Sequence, residues 1–261
     1  MPTLLLIRHG RTTANASGTL AGHLPGIGLD EVGRTQAARL AERLSALPVC
    51  RVVASPLQRT VETATLLAEA HGLPVLTEVG LEECRYGAWT GRPLKDLAAE
   101  DLWQTVQRAP SAATFPPSPE HANESLAQMS ARAIAAVRGH DAEVRGEHGA
   151  QAIWAAVSHG DVIKAILADA LGTHLDQFQR IHVDPASVSV IRYTTGRPLV
   201  LGINGTGTGL EGLIPAPIAE EAPADDTGDG IIGGGGGGAP DPAGRVEDMS
   251  STGQVGREDV R

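Results

Sequence analysis

The chain has 261 residues, 41% hydrophobic and only 3% aromatic, enough for one sizeable α/β domain with an aliphatic core or for two small ones. Its net charge of −10 is uneven: three basic and eleven acidic residues stand from Asn204 onward, against 18 basic and 20 acidic before it, so the body is nearly neutral and lacks a basic stripe for nucleic acid. Two cysteines, Cys50 and Cys84, exclude a disulfide framework, and no run reaches the ~18 apolar residues of a membrane span. The N-terminal apolar run is too short for a signal peptide, so a cytoplasmic protein with no membrane or nucleic-acid partner is expected.

In chain order, the run Thr3 to Arg8 reads as a buried strand that stops at Arg8-His9-Gly10-Arg11. Asp30 can cap a helix reaching about Ser45, with Val32, Ala37, Leu40, Ala41 and Leu44 on one face. Arg51 to Ala54 is a short strand, and Leu57 to about His71 a helix stopped by Gly72 and Pro74. Val75 to Glu78 is expected as a strand and Leu81 to Pro93 as an irregular loop. One helix is expected from Leu94 to Arg108, then a proline-rich loop or lid over Ala109 to Asn123. A helix from Glu124 to about Arg138, a strand from Ala152 to Val157, a helix from Asp161 to Leu171, and strands Val188 to Tyr193 and Leu199 to Ile203 complete the body. Strands alternating with helices predict a sheet covered by helices on both faces. The tail from about Gly205 has no aromatic residue and 15 of the 32 glycines. It cannot bury enough apolar surface to offset its ordering entropy, so disorder is expected for 205–261. Gly233 to Gly238 is a linker rather than a phosphate loop, because no lysine follows it.

Ligands in such sheets bind at the carboxyl ends of strands. Arg8-His9-Gly10 and Ser158-His159-Gly160 both lie at such ends, and the second opens a helix. An isolated histidine is usually a satisfied core residue; two at equivalent strand ends, one beside an arginine, point to function. Arg59, in the first turn of a helix after another strand end, is either a surface charge or a third member of an anion site. In Leu81 to Gly91, Glu82 and Glu83 are adjacent: one can pair with Arg85, the other can serve as an acid near the crevice.

Arg-His-Gly at the first strand, Ser-Pro-Leu-x-Arg-x-x-x-Thr-Ala from Ser55, the Leu-x-Glu-x-x-Tyr-Gly-x-Trp-x-Gly loop from Leu81 and a late Ser-His-Gly occur in this order. Together they resemble the histidine phosphatase superfamily, in its phosphoglycerate mutase-like branch, over roughly residues 3 to 203. The resemblance implies an α/β fold, a three-layer α/β/α sandwich with a mostly parallel central sheet. It implies His9 as a nucleophile that becomes phosphohistidine, and Arg8, Arg59 and His159 as a phosphate clamp. Glu83 matches the family's proton donor and Glu82 does not; Asn15 matches a position that helps bind phosphoryl oxygens.

Elementary chemistry agrees with that carry-over. A transferring phosphoryl group spreads charge over three equatorial oxygens, which two guanidiniums and an imidazole can surround. Neutral imidazole is nucleophilic near pH 7. Glycine after each histidine is expected to let backbone approach the anion, and the helix opening at Gly160 and Asp161 offers N–H groups to it. Neither cysteine is followed by arginine at the spacing a cysteine phosphatase needs, and no Asp-x-Asp or Asp-x-His occurs. The other histidines show no metal-ligand spacing and are expected mostly at the surface, with His182 near the pocket rim. The expectation is therefore a phosphatase without metal or cofactor, acting on a small phosphorylated metabolite. A phosphomutase is the first rival and a non-catalytic phosphate binder the second. Gln104 to Asn123 carries one basic residue, Arg108, which disfavours the mutase; Arg92 and Lys95 are either a seat for a second anionic group or a solvated helix start.

Overall fold

A computed structural model describes residues 1–207. The N-terminal apolar run forms β1 (Thr3–Arg8), followed by α1 (Thr13–Ser17) and α2 (Glu31–Leu44). Asp30 starts α2 by accepting the Gly33 N–H at 2.7 Å, one of the donors a helix start leaves without a partner. Then come β2 (Val49–Ala54), α3 (Gln58–His71), ended by Gly72 at φ 63°, and β3 (Val75–Thr77). Tight turns at Val79–Leu81 and Gly87–Trp89 lead into α4 (Leu94–Leu97) and α5 (Asp101–Arg108). The chain closes with α6 (Leu126–His148), β4 (Ile153–Ser158), α7 (Gly160–Leu171), β5 (Val188–Tyr193) and β6 (Pro198–Gly205).

The six strands form one sheet in the order β3-β2-β4-β1-β5-β6. The first four are parallel, whereas β5 and β6 add on antiparallel. Strand alternation sorts β1 between two layers. Leu4 and Leu6 pack with α6 and α7, and Leu5 and Ile7 with α2 and α3. The result is the expected α/β/α sandwich. Leu6 is fully buried, so Leu6→Ala is expected to cost about 2–5 kcal/mol.

The departures have local causes. Val32 is 40% exposed, and Gly33 faces the interior instead. The single helix expected over 94–108 breaks at Glu100, whose carboxylate accepts Trp89 Nε1 at 2.7 Å and pairs with Arg92 at 2.6 Å. α6 continues ten residues past Arg138 because Asp141 and Val144 extend its buried face. The core is not purely aliphatic: all seven aromatic residues are buried. Phe115, from the proline-rich segment, meets Tyr86 and Trp89 at ring distances of 4.9 and 5.4 Å, so that segment is anchored at Phe115. β6 includes Gly205, the first residue of the expected tail; 208–261 lie outside the described residues.

Candidate active site

Register explains how residues 150 positions apart meet. β1 and β4 run parallel with Arg8 opposite Ser158, so the histidines that follow each strand emerge side by side. The His9 and His159 rings lie 5.2 Å apart, centre to centre. β2 is the other neighbour of β4, and the helix after it supplies Arg59, whose Nε donates to His9 Nε2 at 3.3 Å. Three adjacent carboxyl ends thus bring together His9, His159 and Arg59, with Arg8 beside His9.

The partners of His9 assign its tautomer. Its Nδ1 lies 2.7 Å from the carbonyl oxygen of Gly10, which only accepts. The hydrogen is therefore on Nδ1, and Nε2 keeps its lone pair for the Arg59 N–H. Burial, and then the nearby Arg59 and Arg8 charges, hold the imidazole well below its ordinary value, so it is neutral at pH 7. Gly10 serves packing here: a Cβ would stand 2.5 Å from the Gly33 carbonyl oxygen. Its N–H donates to Thr63 Oγ1 at 3.1 Å, and Thr63 donates on to the Arg59 carbonyl at 2.8 Å. Strand end and helix are thereby locked to each other.

Arg8 and Arg59 are 1% and 3% exposed. Arg8 donates to the Val183 carbonyl at 2.9 Å and Arg59 to that of Gly22 at 2.9 Å. Burial lowers Arg8 to about 10 and Arg59 in the same direction, with the Glu83 charge opposing both shifts. Both stay charged at neutral pH, and two buried guanidiniums make the region a seat for an anion. His159 contacts Ser55 Oγ at 2.8 Å through Nε2, and its buried Nδ1 has no hydrogen-bond partner. His159 also precedes α7 without capping it, so the positive end of that helix dipole faces the same place.

A small cleft opens to solvent here, lined by His9, Asn15, Arg59, Glu83, Tyr86 and the stretch Thr19–Gly22. Arg8, His159 and Gly160 are not among its lining residues. Asn15 is oriented by Thr12, whose N–H and hydroxyl both donate to Asn15 Oδ1, at 3.1 and 2.9 Å. The amide NH₂ is left to donate elsewhere.

Glu83 is 3% exposed and its Oε1 accepts the Cys84 N–H at 2.9 Å. Burial first, and then the charge of Asp161, push its carboxyl up to about 7, so at neutral pH it is a proton donor in balance with its base form. Glu82 faces away and pairs with Arg85 at 3.0 Å, which separates the two adjacent carboxylates.

His182 is not at the cleft; it is exposed and pairs with Asp184 at 3.0 Å. His23, His71, His121 and His140 are half-buried rather than superficial, and His23 Nε2 donates to the Glu83 carbonyl at 2.8 Å. Sequence reasoning passed over Thr12, gave Ser55 no role of its own and placed His23 at the surface, whereas it did set Thr63 beside Arg59. The spacing Thr12-x-x-Asn15 is a capping signal that would have flagged the first; His23 carries no local signal. Tyr86 Oη donates to Asp161 Oδ2 at 2.8 Å, and Lys164 Nζ to Asp161 Oδ1 at 3.2 Å, a buried network beside Glu83. Among the described residues, no group of three or more His, Cys, Asp or Glu side chains gathers into a metal-binding cluster, and no helix is long and apolar enough to cross a membrane.

Comparison with known proteins agrees with this geometry. Phosphoserine phosphatase 1 of Hydrogenobacter thermophilus is 34% identical over 209 residues, covering 79% of this chain and 93% of that protein. A probable phosphoglycerate mutase GpmB of Yersinia enterocolitica is 30% identical over 74% of this chain and 86% of its own length. The solved structure of a mycobacterial glucosyl-3-phosphoglycerate phosphatase superposes with a TM-score of 0.68 at 26% identity, covering 78% of this chain and 98% of that one. The profile of the histidine phosphatase superfamily (branch 1) matches residues 4–206, and the chain belongs to that superfamily.

Proposed function

We propose that this phosphatase of small phosphate esters works through a covalent phosphohistidine at His9, with Glu83 as acid and then base. In the first step His9 Nε2 attacks phosphorus and the ester P–O bond breaks. Glu83 gives its proton to the departing oxygen. In the second step water attacks the phosphohistidine, the P–N bond breaks, and ionised Glu83 takes the water's proton. Phosphate leaves and His9 returns to its neutral form. Arg8, Arg59, His159 and Asn15 hold the non-bridging oxygens, with the α7 N-terminus at Gly160 behind them.

One observation supports this assignment: the Nδ1–H tautomer of His9 leaves the lone pair on Nε2, held at 3.3 Å by an Arg59 N–H that can turn to phosphate instead, at a cleft also lined by Glu83. Hydrolysis is favoured over phosphoryl return to substrate because Arg92, a candidate for a second anionic group, is already paired with Glu100. The relative named a probable mutase keeps phosphoglycerate isomerisation as the alternative. The ligand we assign is a small phosphorylated metabolite, with no metal or cofactor; two free cysteines fit a reducing, cytoplasmic setting. Activity is assigned to the described residues 1–207. The test supplies 3-phosphoglycerate with catalytic 2,3-bisphosphoglycerate and follows 2-phosphoglycerate and free phosphate together. Phosphate release faster than isomer formation is expected; the reverse overturns hydrolysis as the main reaction.

A further inference from the structure

Glu83 is in a loop, yet a general acid must be held within a fraction of an ångström of its working position. The sheet does not supply that hold directly. From strand ends the loop has the Ala54 carbonyl, which accepts the Glu78 N–H at 2.8 Å, and Ser158 Oγ, which donates to the Leu81 carbonyl at 2.8 Å. His23 Nε2 adds a donor to the Glu83 carbonyl at 2.8 Å, and the largest group of ties comes from Arg132 of α6, some fifty residues further along the chain. Arg132 Nη1 donates to the carbonyls of Gly80 and Glu82 at 2.9 and 2.8 Å, and Nη2 to that of Glu83 itself at 3.0 Å. One guanidinium thus gathers three carbonyls of the turn that carries the acid.

The guanidinium is aimed by a second buried carboxylate. Glu124, 7% exposed, accepts from Arg132 through both oxygens, at 3.1 Å from Nε and 2.5 Å from Nη2. The same Glu124 reaches the other side of the acid: its Oε1 accepts the Arg85 N–H at 3.0 Å, and its own N–H donates to the Arg85 carbonyl at 2.9 Å. The turn lies flush on α6, since a Cβ on Gly80 would stand 2.6 Å from that of Ala136. Residues on both sides of Glu83 are therefore bound to one ion pair. Neither Arg132 nor Glu124 lines the cleft.

We infer that Arg132, aimed by Glu124, is a positioning residue for the general acid, fixing the main chain at 80–85 so that the Glu83 carboxyl stays in the cleft. The role rests on the acid assignment of Glu83 proposed above. A fork with five fixed donors is needed to serve three carbonyls and a carboxylate at once, which a lysine ammonium cannot match.

Two variants test it, Arg132→Lys and Glu124→Gln, each also combined with Glu83→Gln. With an alkyl phosphate such as β-glycerophosphate, each single variant is expected to lose roughly 10–10²-fold in kcat/KM, the scale of a misplaced reacting group. With p-nitrophenyl phosphate, whose leaving group needs little protonation, the loss is expected to stay within about threefold. In the Glu83→Gln background the further loss is expected to be within about threefold for both substrates, because the residue acts through an acid already removed. Equal losses for both substrates, full additivity with Glu83→Gln, or no loss at all would each overturn the inference. If Glu83→Gln alone spares alkyl phosphate hydrolysis, the acid assignment itself fails, and the positioning role falls with it.

Discussion

At the strand ends, His9, Arg8 and His159 are placed by main chain that the parallel sheet dictates. In the loop after β3, Glu83 is held by side chains from elsewhere: Arg132 of α6, Glu124 just before that helix, and His23. The cradle inherits its precision from register: once Leu4 to Ile7 pair with Trp154 to Val157, the two histidines have no alternative position. The acid inherits its precision from an ion pair, Arg132 with Glu124, and from three main-chain carbonyls. In the proposed mechanism, anion binding is thereby tied to the parallel sheet, whereas proton transfer is tied to contacts that single substitutions can loosen. Damage to the two regions should differ in kind: cradle variants should lose every substrate alike, and acid variants chiefly those with poor leaving groups.

The largest effect is expected from His9→Ala, at least about 10⁴-fold in kcat for any phosphate ester, since among the described residues no other imidazole and no thiol lines the cleft. Steady-state rates with β-glycerophosphate and p-nitrophenyl phosphate measure it; a loss confined to one of them would separate His9 from the cradle.

Next comes Glu83→Gln, with a loss in kcat/KM of roughly 10²–10⁴-fold for an alkyl phosphate and a much smaller one for p-nitrophenyl phosphate, for which the loss falls on kcat because the second step lacks its base. Glu82→Gln, which only releases Arg85, should do little. The first step needs neutral His9 and protonated Glu83. With the Glu83 carboxyl at about 7, kcat/KM for an alkyl phosphate should fall as pH rises through that value, and Glu83→Gln should lose this limb. Burial also raises this carboxyl above its ordinary 4.5, so folding retains a proton that the unfolded chain releases. Its stabilising contribution is whole below about 4.5 and is lost as pH rises to about 7. Urea midpoints of wild type minus Glu83→Gln across that window should therefore decline with pH; a rising difference would mean that the carboxylate is stabilised in the fold.

Ser55→Ala is expected to have a smaller effect. It removes the only hydrogen bond seen at His159 Nε2, in a fully buried ring, and should cost about 1–3 kcal/mol of stability while lowering kcat/KM equally for both substrates. A substrate-dependent loss would place His159 with the acid instead of the cradle. The smallest effect is expected from truncation after Gly207: melting temperature and kcat/KM should stay close to the full chain's, and a clear drop in either would assign residues 208–261 a part in the fold or the site.

The same contrast decides what sequence alone could convey. Arg8, His9, Arg59 and His159 stand next to apolar runs or helix starts whose periodicity is local, so both their elements and their convergence were legible. Glu83 was distinguished from Glu82 only through a resemblance; nothing in Glu-Glu says which side chain turns inward. Arg132 and Glu124, eight residues apart along α6 and its approach, carry no sequence signal, because Arg132 serves carbonyls some fifty positions away and Glu124 serves the Arg85 N–H. The rupture of the 94–108 helix at Glu100 is of the same type, a tertiary contact from Trp89 and Arg92 overriding local helix preference. The seven aromatic residues were too few to weigh by composition, yet their burial anchors the proline-rich segment beside the acid loop.

The central claim is that the cradle forms a phosphohistidine on His9 while Glu83 serves both proton transfers. Mixing Glu83→Gln with p-nitrophenyl phosphate in a rapid-quench instrument tests it most directly. The first step then needs no acid, but the second still needs the base. A burst of about one nitrophenolate per active site is expected, with the phosphoryl group recovered on the His9 peptide. Steady turnover without a burst, or a label on any other residue, would contradict the account.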